Sequence, residues 1–158
     1  MAKPFSILWK PLMISVGIAL GAGALSALIT GGGMEIYQTL RLPPLAPPGI
    51  VFPIVWTILY VFMGVSAYLV YQTPSENRKS ALGVYALQLL VNILWSPIFF
   101  GLQAYRPAFF WLALLWVLVL VMITKFHAVD PAAAWLQVPY LLWVTFAGYL
   151  NLTISMLN

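Results

Sequence analysis

The distribution of charge constrains this chain more than any other feature. Its 158 residues include seven Lys or Arg and three Asp or Glu, and these fall almost entirely between long apolar runs. Five runs, at about 12–29, 51–71, 81–101, 108–126 and 132–157, approach or exceed the roughly 20 residues needed to cross a hydrocarbon core of about 30 Å. With 63% hydrophobic residues and a mean hydropathy of +0.99, too little polar surface remains to keep a soluble fold dispersed. The expected fold is an all-α integral membrane protein. It forms a single domain over residues 1–158, a bundle of five transmembrane helices with no separate soluble unit.

Local signals sharpen the runs. Pro107 and Pro131 stand at first-turn positions, where a missing N–H costs nothing, and Gly101 closes the third run as a C-cap. Pro139 is expected to kink the fifth run or free a carbonyl. The connection 30–50 carries Pro43, Pro44, Pro47 and Pro48, which fix backbone entropy in advance and make it an ordered, Pro-rich lid instead of a flexible linker. Lys3, Lys10, Arg78, Lys79 and Lys125 lie on one side of the five spans, and Arg41 and Arg106 on the other. The positive-inside rule therefore predicts a cytoplasmic amino terminus. The first run exceeds the roughly 7–15 residues of a signal-peptide core and reads as a retained span. The short segment before it favours a prokaryotic plasma membrane.

Composition excludes several chemistries. With no cysteine there is no disulfide, thiolate metal site or cysteine nucleophile. His127 is the only histidine, and Glu35, Glu76 and Asp130 lie in connections on two sides of the membrane. No triad, carboxylate pair or metal cluster can be assembled, so no catalytic or metal-binding residue is assigned. The positive charge flanks spans instead of forming a patch, and no nucleic-acid partner is expected. Spans without buried ionisable groups also disfavour ion-coupled transport.

The spans do contain aromatic and amide residues at helical spacing. Gln88, Asn92, Trp95 and Phe99 are separated by 4, 3 and 4 residues, which at about 100° per residue keeps them on one face. Trp143, Phe146 and Leu150 share a stripe on the fifth run beside the small Ala147, and Phe52, Trp56 and Tyr60 lie on the second. Such residues could simply hydrogen-bond and pack between helices. In lipid, however, inward aromatics gain nothing hydrophobic over lipid contact, and Trp normally concentrates at the interfaces, so inward indoles beside an amide point to a pocket. Gly17 and Gly21 form a G-x-x-x-G pair on the first run, implying close packing within the bundle or between subunits.

Three motifs carry a family resemblance over nearly the whole chain. They are Pro43-x-x-x-Pro47-Pro48-Gly49 leading to Phe52-Pro53-x-x-Trp56-x-x-Leu59-Tyr60; Gln88-Leu-x-x-Asn92-x-x-Trp95-Ser-Pro97-x-Phe99-Phe100-Gly101; and Pro139-Tyr140-x-x-Trp143-x-x-Phe146-Ala147-x-x-Leu150-Asn151. The chain resembles the translocator protein family, also called tryptophan-rich sensory proteins or peripheral-type benzodiazepine receptors. The resemblance implies five transmembrane helices, often in a homodimer, with the first loop covering a ligand cavity. It also implies a receptor or sensor for tetrapyrroles such as protoporphyrin IX and haem, for isoquinoline carboxamide and benzodiazepine-type drugs, and for sterols, with no obligatory cofactor and a possible transport or stress-regulatory role. By matching position, Trp56, Tyr60, Asn92, Trp95, Phe99, Trp143, Ala147 and Leu150 become the cavity wall, joined by Phe52, Gln88 and Phe146 from the stripes. Pro47, Pro48 and Gly49 shape the lid.

The chain departs from the family where first-loop tryptophans are common, reading Ile36 and Leu45 instead. That counts against the light-dependent porphyrin degradation attributed to some bacterial relatives. The carboxyl-terminal sterol pattern is also missing at Leu152 and Met156, and Arg106 with Phe109 reads as an interfacial anchor. Three readings stay open: ligand-binding sensor, porphyrin-degrading enzyme, and structural membrane subunit.

Overall fold

The computed structural model describes residues 6–158; Lys3, counted in the charge balance, lies outside them. Among the described residues seven α-helices build the bundle: α1 (Trp9–Thr30), α2 (Gly33–Thr39), α3 (Val51–Gln72), α4 (Arg78–Ser96), α5 (Tyr105–Val129), α6 (Pro131–Leu136) and α7 (Val138–Leu157). A π-helical turn, Pro97–Gly101, prolongs α4. Five units are long and apolar enough to cross a membrane: α1, α3, α4 with its π turn, α5, and α6 with α7. Around the bundle the order is α1, α4, α5, α6–α7, α3 and back to α1.

The kink expected at Pro139 is a full break, and two further details differ from the sequence expectation. The fifth run is two helices broken at Gln137, because Pro139 has no N–H to offer the carbonyl one turn back. Gln137 instead turns its side chain inward, donating to the Phe62 carbonyl (3.1 Å) and to Ser66 Oγ (2.6 Å) on α3. Gly101 is not a left-handed cap but the last residue of the π turn, where the Leu102 N–H reaches the Pro97 carbonyl at 2.9 Å. The lid is ordered, as its prolines imply, yet it contains α2, which its Gly-rich start did not suggest. The expected first-turn prolines are in place, with Asp130 capping α6 by accepting from Ala132 N at 2.9 Å ahead of Pro131.

The bundle is tightest away from the lid. Ser15 Oγ donates to the Gly64 carbonyl at 2.6 Å, and a Cβ at Gly64 would run into the Val16 backbone. Only glycine allows α1 and α3 to approach so closely. Met63, Leu112, Leu115, Met122 and Phe126 fill the interior at or below 2% exposure. By contrast Gly17 and Gly21 have no neighbour within 4 Å of an added Cβ. The G-x-x-x-G face therefore does not serve packing within the bundle.

Candidate functional site

Under the lid, the halves of α1, α3, α4 and α7 nearest it enclose a cavity of about 500 Å³. This falls within the roughly 300–1,000 Å³ typical of small-molecule sites. Among the described residues, none of those lining it is charged. Its walls are Trp56, Tyr60 and Phe52 from α3, Asn92 and Trp95 from α4, Phe99 and Phe100 from the π turn, and Ala147, Leu150 and Asn151 from α7. Gly23, Ala24 and Ala27 of α1 supply a thin wall, and Met34, Tyr37 and Gly49 form the roof. Ala24, Ala27, Pro53 and Thr57 are exposed while Asn92, Leu150 and Asn151 are buried, so the cavity opens between α1 and α3.

Aromatic pairs set the wall's shape. Trp56 stacks on Tyr60 at 5.7 Å, Trp95 on Phe99 at 5.1 Å, and Tyr37 meets Phe52 edge-on at 5.0 Å. A Cβ at Gly23 would collide with the Tyr60 ring, which explains why α1 is bare there. The floor is a chain of neutral hydrogen bonds. Tyr60 donates to Asn92 Oδ1 (2.5 Å), Asn92 Nδ2 to the Tyr140 hydroxyl (2.7 Å), and Tyr140 to Gln88 Oε1 (2.8 Å). All four residues are buried, and such a fully paired network rigidifies the site, since an orphaned member would carry its whole desolvation cost.

The seam between α1 and α4 has a different logic. Pro97 has no N–H for the Ile93 carbonyl four residues back, and Ser26 Oγ on α1 fills the gap, donating to that carbonyl at 2.8 Å. One turn on, Thr30 Oγ1 lies 2.6 Å from the Ser26 carbonyl and 3.0 Å from Ser96 Oγ. The π turn after Pro97 then swings Phe99 and Phe100 beneath the lid, in keeping with the frequent placement of π turns at functional sites.

The lid is fastened at three points. Tyr37 donates to the Pro47 carbonyl (2.7 Å), Tyr149 on α7 donates to the Pro44 carbonyl (2.8 Å), and the Asn158 amide pairs with both the N–H and the carbonyl of Arg41 (3.0 Å each). Burial raises the Tyr37 phenol above its ordinary value, so it stays a neutral donor.

Of the fourteen residues assigned from sequence, Gly49, Phe52, Trp56, Tyr60, Asn92, Trp95, Phe99, Ala147 and Leu150 meet around this cavity. Five do not line it. Gln88 is fully buried at the far end of the floor network, because Tyr140 comes between it and the open space. Pro47 and Pro48 act through the backbone, accepting from Tyr37 and from the Val51 N–H. Trp143 and Phe146 instead line an apolar groove between α3 and α7, with Val55, Leu59 and Pro139. The break at Gln137 and the insertion of Tyr140 turn that stripe outward, though Trp143 still touches Phe52 edge-on at 5.8 Å. Sequence reasoning missed Ser26, Thr30, Tyr37 and Asn151 as lining residues. The Pro97 gap was the available signal for Ser26.

Comparison with known proteins agrees with this architecture. A family model described as the TspO/MBR family matches residues 6–157. The chain is 40% identical over 139 residues to Protein CrtK of Rhodobacter capsulatus, covering 87% of this chain and 86% of that one. It is 37% identical over 150 residues to the Tryptophan-rich protein TspO of Chlorobaculum tepidum, covering 93% and 95%. It is 35% identical over 147 residues to the Translocator protein of Homo sapiens, covering 90% and 87%. The chain belongs to the TspO/MBR family.

As a TspO/MBR protein with five spanning units, it is a multi-pass membrane protein. What the cavity can do follows from its residue types. It offers flat aromatic faces, neutral donors and acceptors and, among the described residues, no general acid, base or nucleophile poised by a charged partner. His127 is exposed in the last turn of α5, away from the lid.

Proposed function

We propose that the protein is a membrane receptor or sensor that holds a tetrapyrrole, such as protoporphyrin IX or haem, in the cavity under the lid. Isoquinoline carboxamide and benzodiazepine-type molecules fit the same site. The observation that carries this reading is a cavity of about 500 Å³ among the spanning helices, with uncharged walls rich in Trp, Tyr and Phe. Flat fused rings gain stacking on such walls, about 0.5–1.5 kcal/mol per aromatic pair beyond burial, and the few neutral polar groups can orient their edges. The names of two relatives, a tryptophan-rich sensory protein and a translocator protein, are consistent with a sensing or carrying role. Pairing of two copies through the open Gly17 and Gly21 face belongs to the same proposal.

The test is a titration of purified protein in the dark with protoporphyrin IX, read by tryptophan fluorescence with an inner-filter control. Saturation at one porphyrin per chain is expected. The bound porphyrin's absorption should survive illumination, which separates a receptor from a degrading enzyme. Unsaturable quenching would sink the reading.

A further inference from the structure

The tip of the lid carries a residue that its own backbone disfavours. The Ala46 N–H reaches the Pro43 carbonyl at 3.2 Å, closing a four-residue turn with Pro44 in second place and Leu45 in third, where Leu45 has φ 71°. A proline followed by a left-handed residue is the pattern of a type II turn, whose third position takes Gly or Asn because a Cβ there crowds the following carbonyl. Leu45 is neither, and at 81% exposure it has no packing inside the protein to offset the strain. A single exposed leucine is ordinary, but an exposed leucine held in a strained backbone points to a role.

The surroundings indicate what Leu45 meets. Tyr149 donates to the carbonyl of Pro44, the preceding residue, at 2.8 Å. On α7, Tyr149 belongs to an exposed stripe with Leu142, Thr145 and Leu152, which share one face at helical spacing. Because α6 with α7 is a spanning unit, this stripe faces lipid. From Tyr149 to Leu157, the end of α7, the helix rises about 12 Å. The turn is therefore held against the flank of the bundle and not over its end.

From this arrangement we propose that the lid is anchored in the bilayer, with the Leu45 side chain inserted among lipid chains beside α7. The partner is the lipid surface at the boundary of head groups and hydrocarbon, where Tyr hydroxyls characteristically sit. Moving a leucine side chain out of water at least offsets the cost of its left-handed backbone, which accounts for leucine at a position that suits glycine. Lifting the lid then means drawing Leu45 out of lipid, so its opening depends on the membrane as well as on the bonds of Tyr37, Tyr149 and Asn158. None of this depends on what the cavity holds.

The chain has no cysteine, so a single nitroxide can be attached at Leu45→Cys and, in a second protein, at Glu35→Cys on the exposed side of α2, both in phosphatidylcholine nanodiscs. Collisions with dissolved oxygen, which concentrates in lipid, should dominate at 45, and collisions with a water-soluble nickel chelate at 35. Equal access of the chelate to both positions puts Leu45 in water, and exclusion of both relaxants at 45 puts it against protein, a second copy included. Either result overturns the anchor. Coupling of lid to bilayer is read by amide exchange of residues 33–50 in the same nanodiscs. Leu45→Asn suits the left-handed backbone, so a turn without an anchoring role exchanges as in wild type or more slowly. Loss of an anchor should instead speed exchange by about threefold, the net of lost burial and relieved strain. Leu45→Met keeps an apolar side chain and should exchange like wild type. Unchanged or slower exchange in Leu45→Asn, or equal acceleration in both variants, overturns the coupling.

Discussion

The seam between α1 and α3 behaves in opposite ways at its two ends. Away from the lid, Gly64 lets the α1 backbone touch α3 and Ser15 binds its carbonyl. Toward the lid, Gly23 faces the Tyr60 ring and the same helices stand apart around a cavity. Both positions are glycines, but one admits backbone and the other a side chain that is itself held by Asn92. Close packing at one end and preorganised space at the other therefore come from a single helix pair. The first glycine sets stability and the second sets the site.

The largest effect should come from breaking the tight end. Gly64→Val places side-chain atoms against α1 backbone that cannot rotate away, and should cost about 3 kcal/mol, the upper end of overpacking penalties. Thermal unfolding in detergent would report it. Asn92→Leu attacks the other end by leaving the buried Tyr60 hydroxyl without its acceptor and Tyr140 bonded to Gln88 alone, costing about 2 kcal/mol in stability. It should also weaken porphyrin binding, which Gly64→Val acts on only through unfolding, and titration of folded material separates the two. Asn158→Ala removes the clamp on Arg41 and should lose about 1 kcal/mol, visible as faster amide exchange confined to the lid. Gly17→Ala sharpens the contrast from below. Its site is open, so monomer stability should change by no more than about 0.5 kcal/mol, and any larger change in assembly size would locate a contact between copies.

How much of this was legible in the sequence follows from what each feature depends on. The five spans were readable because lipid demands long uncharged runs, and the cavity wall at Trp56, Asn92, Trp95 and Phe99 because helical spacing put those residues on common faces. The direction of the Trp143 and Phe146 stripe was not readable. It depends on where the helix breaks, and the break at Gln137 is stabilised by bonds to Phe62 and Ser66 that lie 75 and 71 residues away in the chain. The place of Gln88 depends likewise on Tyr140 reaching between it and the cavity. Helix α2 escaped notice because Gly31, Gly32 and Gly33 disfavour a helix start on propensity, while the fastening of its Tyr37 to Pro47 is a tertiary event.

The most direct test of the central claim, that the space beside Gly23 is the ligand site and the groove at Trp143 is not, is one set of dark protoporphyrin IX titrations. It compares wild type with Gly23→Val and Trp143→Phe, with folding monitored in parallel. The account predicts that Gly23→Val, which drives Tyr60 into the cavity, loses at least tenfold in affinity while remaining folded, and that Trp143→Phe binds within about twofold of wild type, as expected for a residue outside the contact surface. Undiminished binding by folded Gly23→Val, with binding lost in Trp143→Phe, would contradict it and move the site to the groove between α3 and α7.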